Sequence, residues 1–160
     1  MDAPTEPQFE IREGDPGDDR FIAAAFRNMW LDIGVGAENL VADAEDRTVQ
    51  FIENARANLD LRSFVAELGG EPIGGAACQK FAGLYPNVLA PEHRLYGYIW
   101  GVYVDATYRR RGVGEALTSR CVAELKKAGY SHAILHAAPM GEGVYEGLGF
   151  RHTKEMRLDF

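Results

Sequence analysis

Three arginines, Arg109, Arg110 and Arg111, stand directly before Gly112-Val113-Gly114 in a chain whose formal net charge is -7. The residues before them, "YGYIWGVYV", favour a strand. Those after, "GVGEALTSRCVAELKKAG", repeat apolar side chains at helical spacing. A strand ending at Val104 therefore feeds a short turn, Asp105 to Arg111, and then a helix starting near Gly112. The first N–H groups of a helix lack partners inside it, and the helix dipole adds partial positive charge there. Such an end suits a phosphate or pyrophosphate, glycines let it approach the backbone, and arginines attract it. A basic surface turn that merely caps a helix would read the same way. The lysine-bearing phosphate loop G-x-x-x-x-G-K-[ST] is absent, and a G-x-G-x-x-G dinucleotide fingerprint fails at Leu117.

Other reactive residue types point to less. Cys78 and Cys121, both in apolar surroundings, are too few for a disulfide framework or a metal site. They read as small buried hydrophobes in a reducing cytoplasm. Of the four histidines, His132 and His136 are spaced i and i+4, but on a strand that spacing leaves them ~13 Å apart, too far to share a metal. No metal is expected. Charge is uneven: residues 1–60 carry 14 acidic residues against 5 arginines, and residues 61–160 carry 10 acidic against 12 basic. The acidic first part argues against nucleic acid and suits a cationic or amine-bearing partner, or simply a solvated surface.

The elements that must position the turn follow from periodicity. Phe9–Gly14 alternates as a strand. A helix follows, capped by Asp18 or Asp19 and ended by Gly34 or Gly36, with Phe21, Ile22, Ala25, Phe26, Met29, Trp30 and Ile33 on its apolar stripe. A second helix has Asp43 as N-cap and Val49, Ile52 and Leu59 along one face. "RSFVAELGGEPIGGAACQKF" is a hairpin around Gly69-Gly70, and "AGLYPNVLAPEHRL" is a loop. After the central strand and helix come a strand, "YSHAILHAA", a glycine-broken helix, "MGEGVYEGLGF", and a closing strand, "RHTKEMRLDF". The order β-α-α-β-β-β-α-β-α-β predicts an α/β fold with a mixed sheet and helices on both faces, in one domain spanning 1–160. Residues 1–7 are expected to be loose and are not a secretory signal, and no apolar run approaches the about 18 residues of a membrane span.

Arg109-x-x-Gly112-x-Gly114 after "VYVDATY" resembles the acyl-CoA-binding motif of the GNAT N-acetyltransferase superfamily, whose pattern is Q/R-x-x-G-x-G/A after a strand. "VYEGLGF", Val144 to Phe150, resembles that family's downstream segment, and the element order agrees over nearly the whole chain. "LHAAPMGEGVYEGLGF" followed by "TKEMRL" is similar to a broad group of bacterial members of unassigned substrate.

The resemblance implies the GNAT acyl-CoA N-acyltransferase fold, with the fourth and fifth strands splayed so that the pantetheine arm enters between them. It implies acetyl-CoA as co-substrate. Backbone N–H groups of Arg110, Arg111, Gly112, Val113, Gly114 and Glu115 would bind its pyrophosphate, with Arg109 at the first position of the motif. Val102, Tyr103 and Val104 would pair with the pantetheine. Gly101 would mark a bulge, and an N–H near Val102 would face the thioester carbonyl. Tyr145 maps to the tyrosine near the thioester sulfur. A phenol of pKa about 10 can protonate a leaving thiolate of pKa roughly 8.5.

Two positions depart from the family. Many members carry a general-base Glu at the position that is Trp100 here, and an Asn where this chain has Ala138. Glu92, His93, Tyr98 and His136 are the remaining candidates for a base, which is unnecessary if the amine arrives neutral. The acceptor side would draw on Trp30, Asp32, Glu38, Tyr85, Glu92 and His93, aromatics and carboxylates that suit an ammonium. The expected function is direct acetyl transfer from acetyl-CoA to a primary amine of a small molecule or peptide, in the cytoplasm and without membrane or nucleic-acid partners. The alternative is a non-catalytic acyl-CoA-binding sensor. Two copies could pair as a homodimer through the apolar C-terminal strand.

Overall fold

Alternation along the strands divides the apolar residues between two cores. The computed structural model describes residues 8–160, so the expectation for residues 1–7 falls outside it. Five strands form one sheet in the order β1 (Glu10–Glu13), β2 (Arg62–Leu68), β3 (Glu71–Lys80), β4 (Tyr96–Val104) and β5 (His132–Ile134). The first four pair antiparallel and β5 runs parallel to β4. β2 and β3 are the expected hairpin around Gly69-Gly70.

Phe64 and Ala66 of β2, Ala76 and Cys78 of β3 and Ile99 of β4 point to one face. There α4 (Val113–Lys127) lays Val113, Leu117, Cys121 and Leu125 against them. Val65, Ala77 and Trp100 point to the other face, under Ile22 of α1 (Asp19–Asp32) and Ile52 and Ala55 of α2 (Ala44–Asn58). Residues that alternate by two on the strands thus meet residues that recur by three and four on the helices. The two N-terminal helices are joined by a bidentate pair, Arg56 Nη1 and Nη2 to Asp19 Oδ2 and Oδ1 at 3.0 and 2.6 Å, with Asp19 buried. Asp43 precedes α2 as expected, but its side chain engages Arg47 rather than the helix N–H groups.

Three expectations need correction. The loop before β4 contains a one-turn helix, α3 (Leu84–Asn87). The strand expected over Tyr130–Ala138 is only three residues long, because β4 and β5 diverge after Tyr98↔Ile134 and the ladder ends there. That places His136 two residues past β5 rather than on it. The closing strand is missing: residues 151–160 form no ladder among the described residues, and Met156 and Leu158 are 93 and 76% exposed. The apolar alternation there is real, but a strand exists only where a neighbouring edge supplies its hydrogen bonds. The short helix before it is α5 (Glu142–Gly147).

Candidate functional site

The divergence of β4 and β5 leaves a V-shaped opening. β4 continues six residues past its last pairing with β5, from Ile99 to Val104, and that edge has no strand partner among the described residues. Unpaired N–H and C=O groups on such an edge can accept an extended chain. Gly101 interrupts the edge with φ 65°, in the left-handed region. Across the bulge the register passes from Ala77↔Trp100 to Gly75↔Tyr103, so β4 holds one residue more than β3. The extra residue reverses which face each side chain takes. Trp100 faces α1 and α2, whereas Val102 and Val104 join the α4 core. A Cβ at Gly101 would meet only Phe26 Cδ2 at 3.7 Å, so backbone conformation and not space calls for glycine there.

The turn after β4 is held by side chains that face inward. Asp105 Oδ1 accepts from Thr107 N at 3.1 Å, and Arg109 Nε donates to Val104 O at 2.8 Å. The Arg109 guanidinium also bonds Asp32 at the end of α1 and lies 5.5 Å from the Tyr103 ring centre. Its first role is therefore to brace the turn against α1 and β4. Arg110 at φ 64° and Gly112 at φ 79° then place two left-handed residues on either side of Arg111, a conformation that turns successive N–H groups to one side. The first α4 N–H to find an acceptor is that of Ala116, on Gly112 O at 3.0 Å. The N–H groups of Arg110 through Glu115 have no acceptor among the described residues. Arg110 and Arg111 are exposed. These donors, the dipole of a four-turn helix and the open β4 edge fit a ligand with a pyrophosphate and an extended arm.

Tyr145 lies on α5 with its ring edge-on to Phe150 at 6.0 Å and packed over Gly141, where a Cβ would come within 2.8 Å of Tyr145 Cε2. Burial, with a smaller contribution from the Cys121 sulfur, pushes its phenol above its ordinary value. The proton stays on, which suits a donor.

At Trp100 the position of the absent acid is filled by an aromatic cluster. Phe26 and Phe51 pack edge-on to Trp100 at 5.2 and 5.7 Å, and Trp100 Nε1 donates to the buried Gln79 Oε1 at 2.9 Å. Trp30 packs edge-on to Phe26 at 6.1 Å yet stays 39% exposed, so it belongs to the rim of this cluster rather than its interior. Asp32, an expected acceptor contact, is committed to Arg109. Glu38, Glu92 and His93 are exposed, and the side chain of Tyr85 lies outside the described ones.

Tyr98 and His136 do come together, Tyr98 Oη lying 3.1 Å from His136 Nδ1. A third group, Glu155, places Oε2 2.9 Å from His136 Nε2. Neither Glu155 nor Gln79 carries a local sequence signal, since each is defined only by a partner 19 or 21 residues away. A cavity of about 560 Å³ lies elsewhere, lined by Arg62, Cys78, Lys80 and Tyr130 at the start of β4, away from the turn. The site is an open cleft.

A mixed sheet that splays after a bulged fourth strand, with a donor-rich turn at the head of the next helix, defines an acyl-CoA-binding acyltransferase architecture. Residues 23–150 match the family model "Acetyltransferase (GNAT) family", and the chain belongs to that family. A GCN5-related N-acetyltransferase of Ralstonia eutropha superposes with TM-score 0.82 at 29% identity, covering 96% of this chain and 99% of that one. A predicted acetyltransferase of Clostridium acetobutylicum, crystallised with acetyl-CoA, does so with TM-score 0.78 at 26% identity, covering 95 and 96%. By sequence, a glucosamine 6-phosphate N-acetyltransferase of Trypanosoma brucei brucei is 39% identical over 105 residues, 65% of this chain and 68% of that one. An uncharacterized N-acetyltransferase of Methanocaldococcus jannaschii is 30% identical over 97 residues, 59% of this chain but only 41% of its relative. No helix among the described residues is long and apolar enough to cross a membrane.

Proposed function

We propose that the protein is an acetyl-CoA-dependent N-acetyltransferase that passes the acetyl group directly to a primary amine of a small molecule or peptide. The observation that carries this reading is the V between β4 and β5 opening beside six unaccepted N–H groups at Arg110–Glu115. Those N–H groups hold the pyrophosphate. Val102, Tyr103 and Val104 pair with the pantetheine arm, and the N–H beside the bulge polarises the thioester carbonyl. The amine attacks that carbonyl, the carbon–sulfur bond breaks, and Tyr145 donates its proton to the departing thiolate. Arg109 serves by bracing the turn. Trp30 and Phe51, at the rim of the aromatic cluster, face an ammonium through cation–π contact.

The chain works as one domain in a reducing cytoplasm, with Cys78 and Cys121 as thiols. Two copies pair through residues 151–160, which sedimentation at varied concentration would test. The buried Trp100–Gln79 pair in place of an acid favours a second reading, a protein that binds acyl-CoA without catalysis. CoA release over a panel of amines decides between them. The panel begins with amino-sugar phosphates, given the relative named for glucosamine 6-phosphate. Release with some amine and none with matched alcohols is expected. Tight acetyl-CoA binding with release on no amine would favour the binder.

A further inference from the structure

We propose that Tyr98, His136 and Glu155 form a proton relay that takes the proton of the attacking ammonium, in place of the acid missing at Trp100. The proposal rests on the N-acetyltransferase reading above. Tyr98 is the last β4 residue paired with β5, opposite Ile134, so it stands at the closed end of the V. It shares the α1/α2 face of β4 with Trp100, two residues away, or about 7 Å along the strand. The relay thus starts on the face and strand where the missing carboxylate would have projected.

The hydrogen bonds fix the direction of travel. A carboxylate only accepts, so in the neutral imidazole it is His136 Nε2 that carries the proton toward Glu155 Oε2 at 2.9 Å. Nδ1 then holds a lone pair and accepts from Tyr98 Oη at 3.1 Å. The phenol oxygen keeps its own lone pairs free for a donor. Burial and the Glu155 charge both raise the Tyr98 phenol, which therefore passes a proton on rather than waiting as a phenolate.

In the step, an ammonium N–H bond breaks as a Tyr98 O–H bond forms, and the original phenol proton moves to His136 Nδ1. The substrate loses one proton and the imidazole gains it, while Glu155 holds the imidazolium. Arg157, with Nη2 3.8 Å from Glu155 Oε1, is the other charged group on this carboxylate. The His136 side chain is 63% exposed, so solvent can remove the proton after turnover. Tyr98 is the catalytic residue. His136 and Glu155 act through it and are positioning residues. The relay also gives residues 151–160 a role that needs no sheet: they bring Glu155 to His136.

The test uses full-length Tyr98→Phe, His136→Asn and Glu155→Ala proteins at saturating acetyl-CoA, with amines graded in basicity. On a strongly basic amine, Tyr98→Phe and His136→Asn should lower kcat about 100-fold, with acetyl-CoA affinity unchanged. On weakly basic amines, which arrive neutral, the loss should nearly vanish. Equal losses on both amine classes, or no loss on either, would overturn the relay while leaving acetyl transfer intact. If the wild type acetylates no amine, the N-acetyltransferase reading fails on its own. The hydrogen-bond order that the relay requires is judged separately by ¹⁵N spectra of His136. The Nε2–H tautomer should dominate in the wild type and give way to a mixture in Glu155→Ala. A dominant Nδ1–H tautomer in the wild type would overturn it.

Discussion

Gly112 and Gly114 look alike in the motif, yet they answer to different demands. Gly112 sits at φ 79° with nothing within 4 Å of a Cβ placed there, so it is required by conformation. Gly114 has ordinary helical backbone, and its Cβ would meet only Val104 Cγ2 at 3.8 Å, so the folded chain alone would tolerate a side chain. What a side chain at 114 would obstruct is a ligand on the N–H groups. Gly112→Ala should cost about 1 kcal/mol of stability in urea unfolding. Gly114→Leu should leave stability within about 0.5 kcal/mol but weaken acetyl-CoA binding by at least about tenfold. Arg110→Ala, which removes an exposed side chain and keeps its N–H, should weaken it less. A Gly114 variant that binds normally would remove the turn from the site.

Tyr145 makes a similar distinction between chemistry and packing. Its raised phenol keeps the proton through neutral pH, and its ring packs on Phe150 and Gly141. Tyr145→Phe keeps the ring. Its kcat should fall about 100-fold, with KM for acetyl-CoA nearly constant. An unchanged kcat would assign Tyr145 to packing alone. Gly114 and Tyr145 stand out in the sequence as candidates because each sits in a short motif. Glu155 was not, because its partner lies on another element and only folding joins them.

Among elements, β4 carries most of the candidate site. Its bulge turns Val102 and Val104 toward α4 and leaves Tyr103 to Arg109, an arrangement that regular alternation would reverse. The glycine inside a strand announced the bulge, and the strand–turn–helix sequence announced α4. The length of β5 was not legible, since its apolar pattern runs on past Ile134 while β4 bends away. The closing strand failed for the same reason: residue pattern states a preference, and only a paired edge realises it. Gly101→Ala tests the element directly. The positive φ should cost about 1–2 kcal/mol of stability. The larger effect should fall on acetyl transfer, since Val102 N–H is re-aimed. A stable variant with full activity would show that the bulge does not position the acyl group.

At the scale of the whole molecule, Cys78 and Cys121 report on how the parts hold together. Cys78 is on β3 and Cys121 on α4, both within 1% of complete burial in the same apolar cluster. The contact with Cys78 and the burial raise the Cys121 thiol well above its ordinary value, so little thiolate exists to react even where a reagent reaches it. Labelling must wait for an opening that separates α4 from the sheet. That same opening takes the donor-rich turn away from β4, because Gly112–Val113 begins the helix that carries Cys121. Thiol reactivity and loss of the acetyl-CoA site should therefore rise together. In increasing urea, both thiols should react with one rate that tracks global unfolding, and acetyl-CoA should slow both equally by mass action on the folded state. Reaction of either thiol in the native protein at the rate of an exposed cysteine would mean that α4 opens on its own, and that the turn is a mobile part rather than a fixed wall of the cleft.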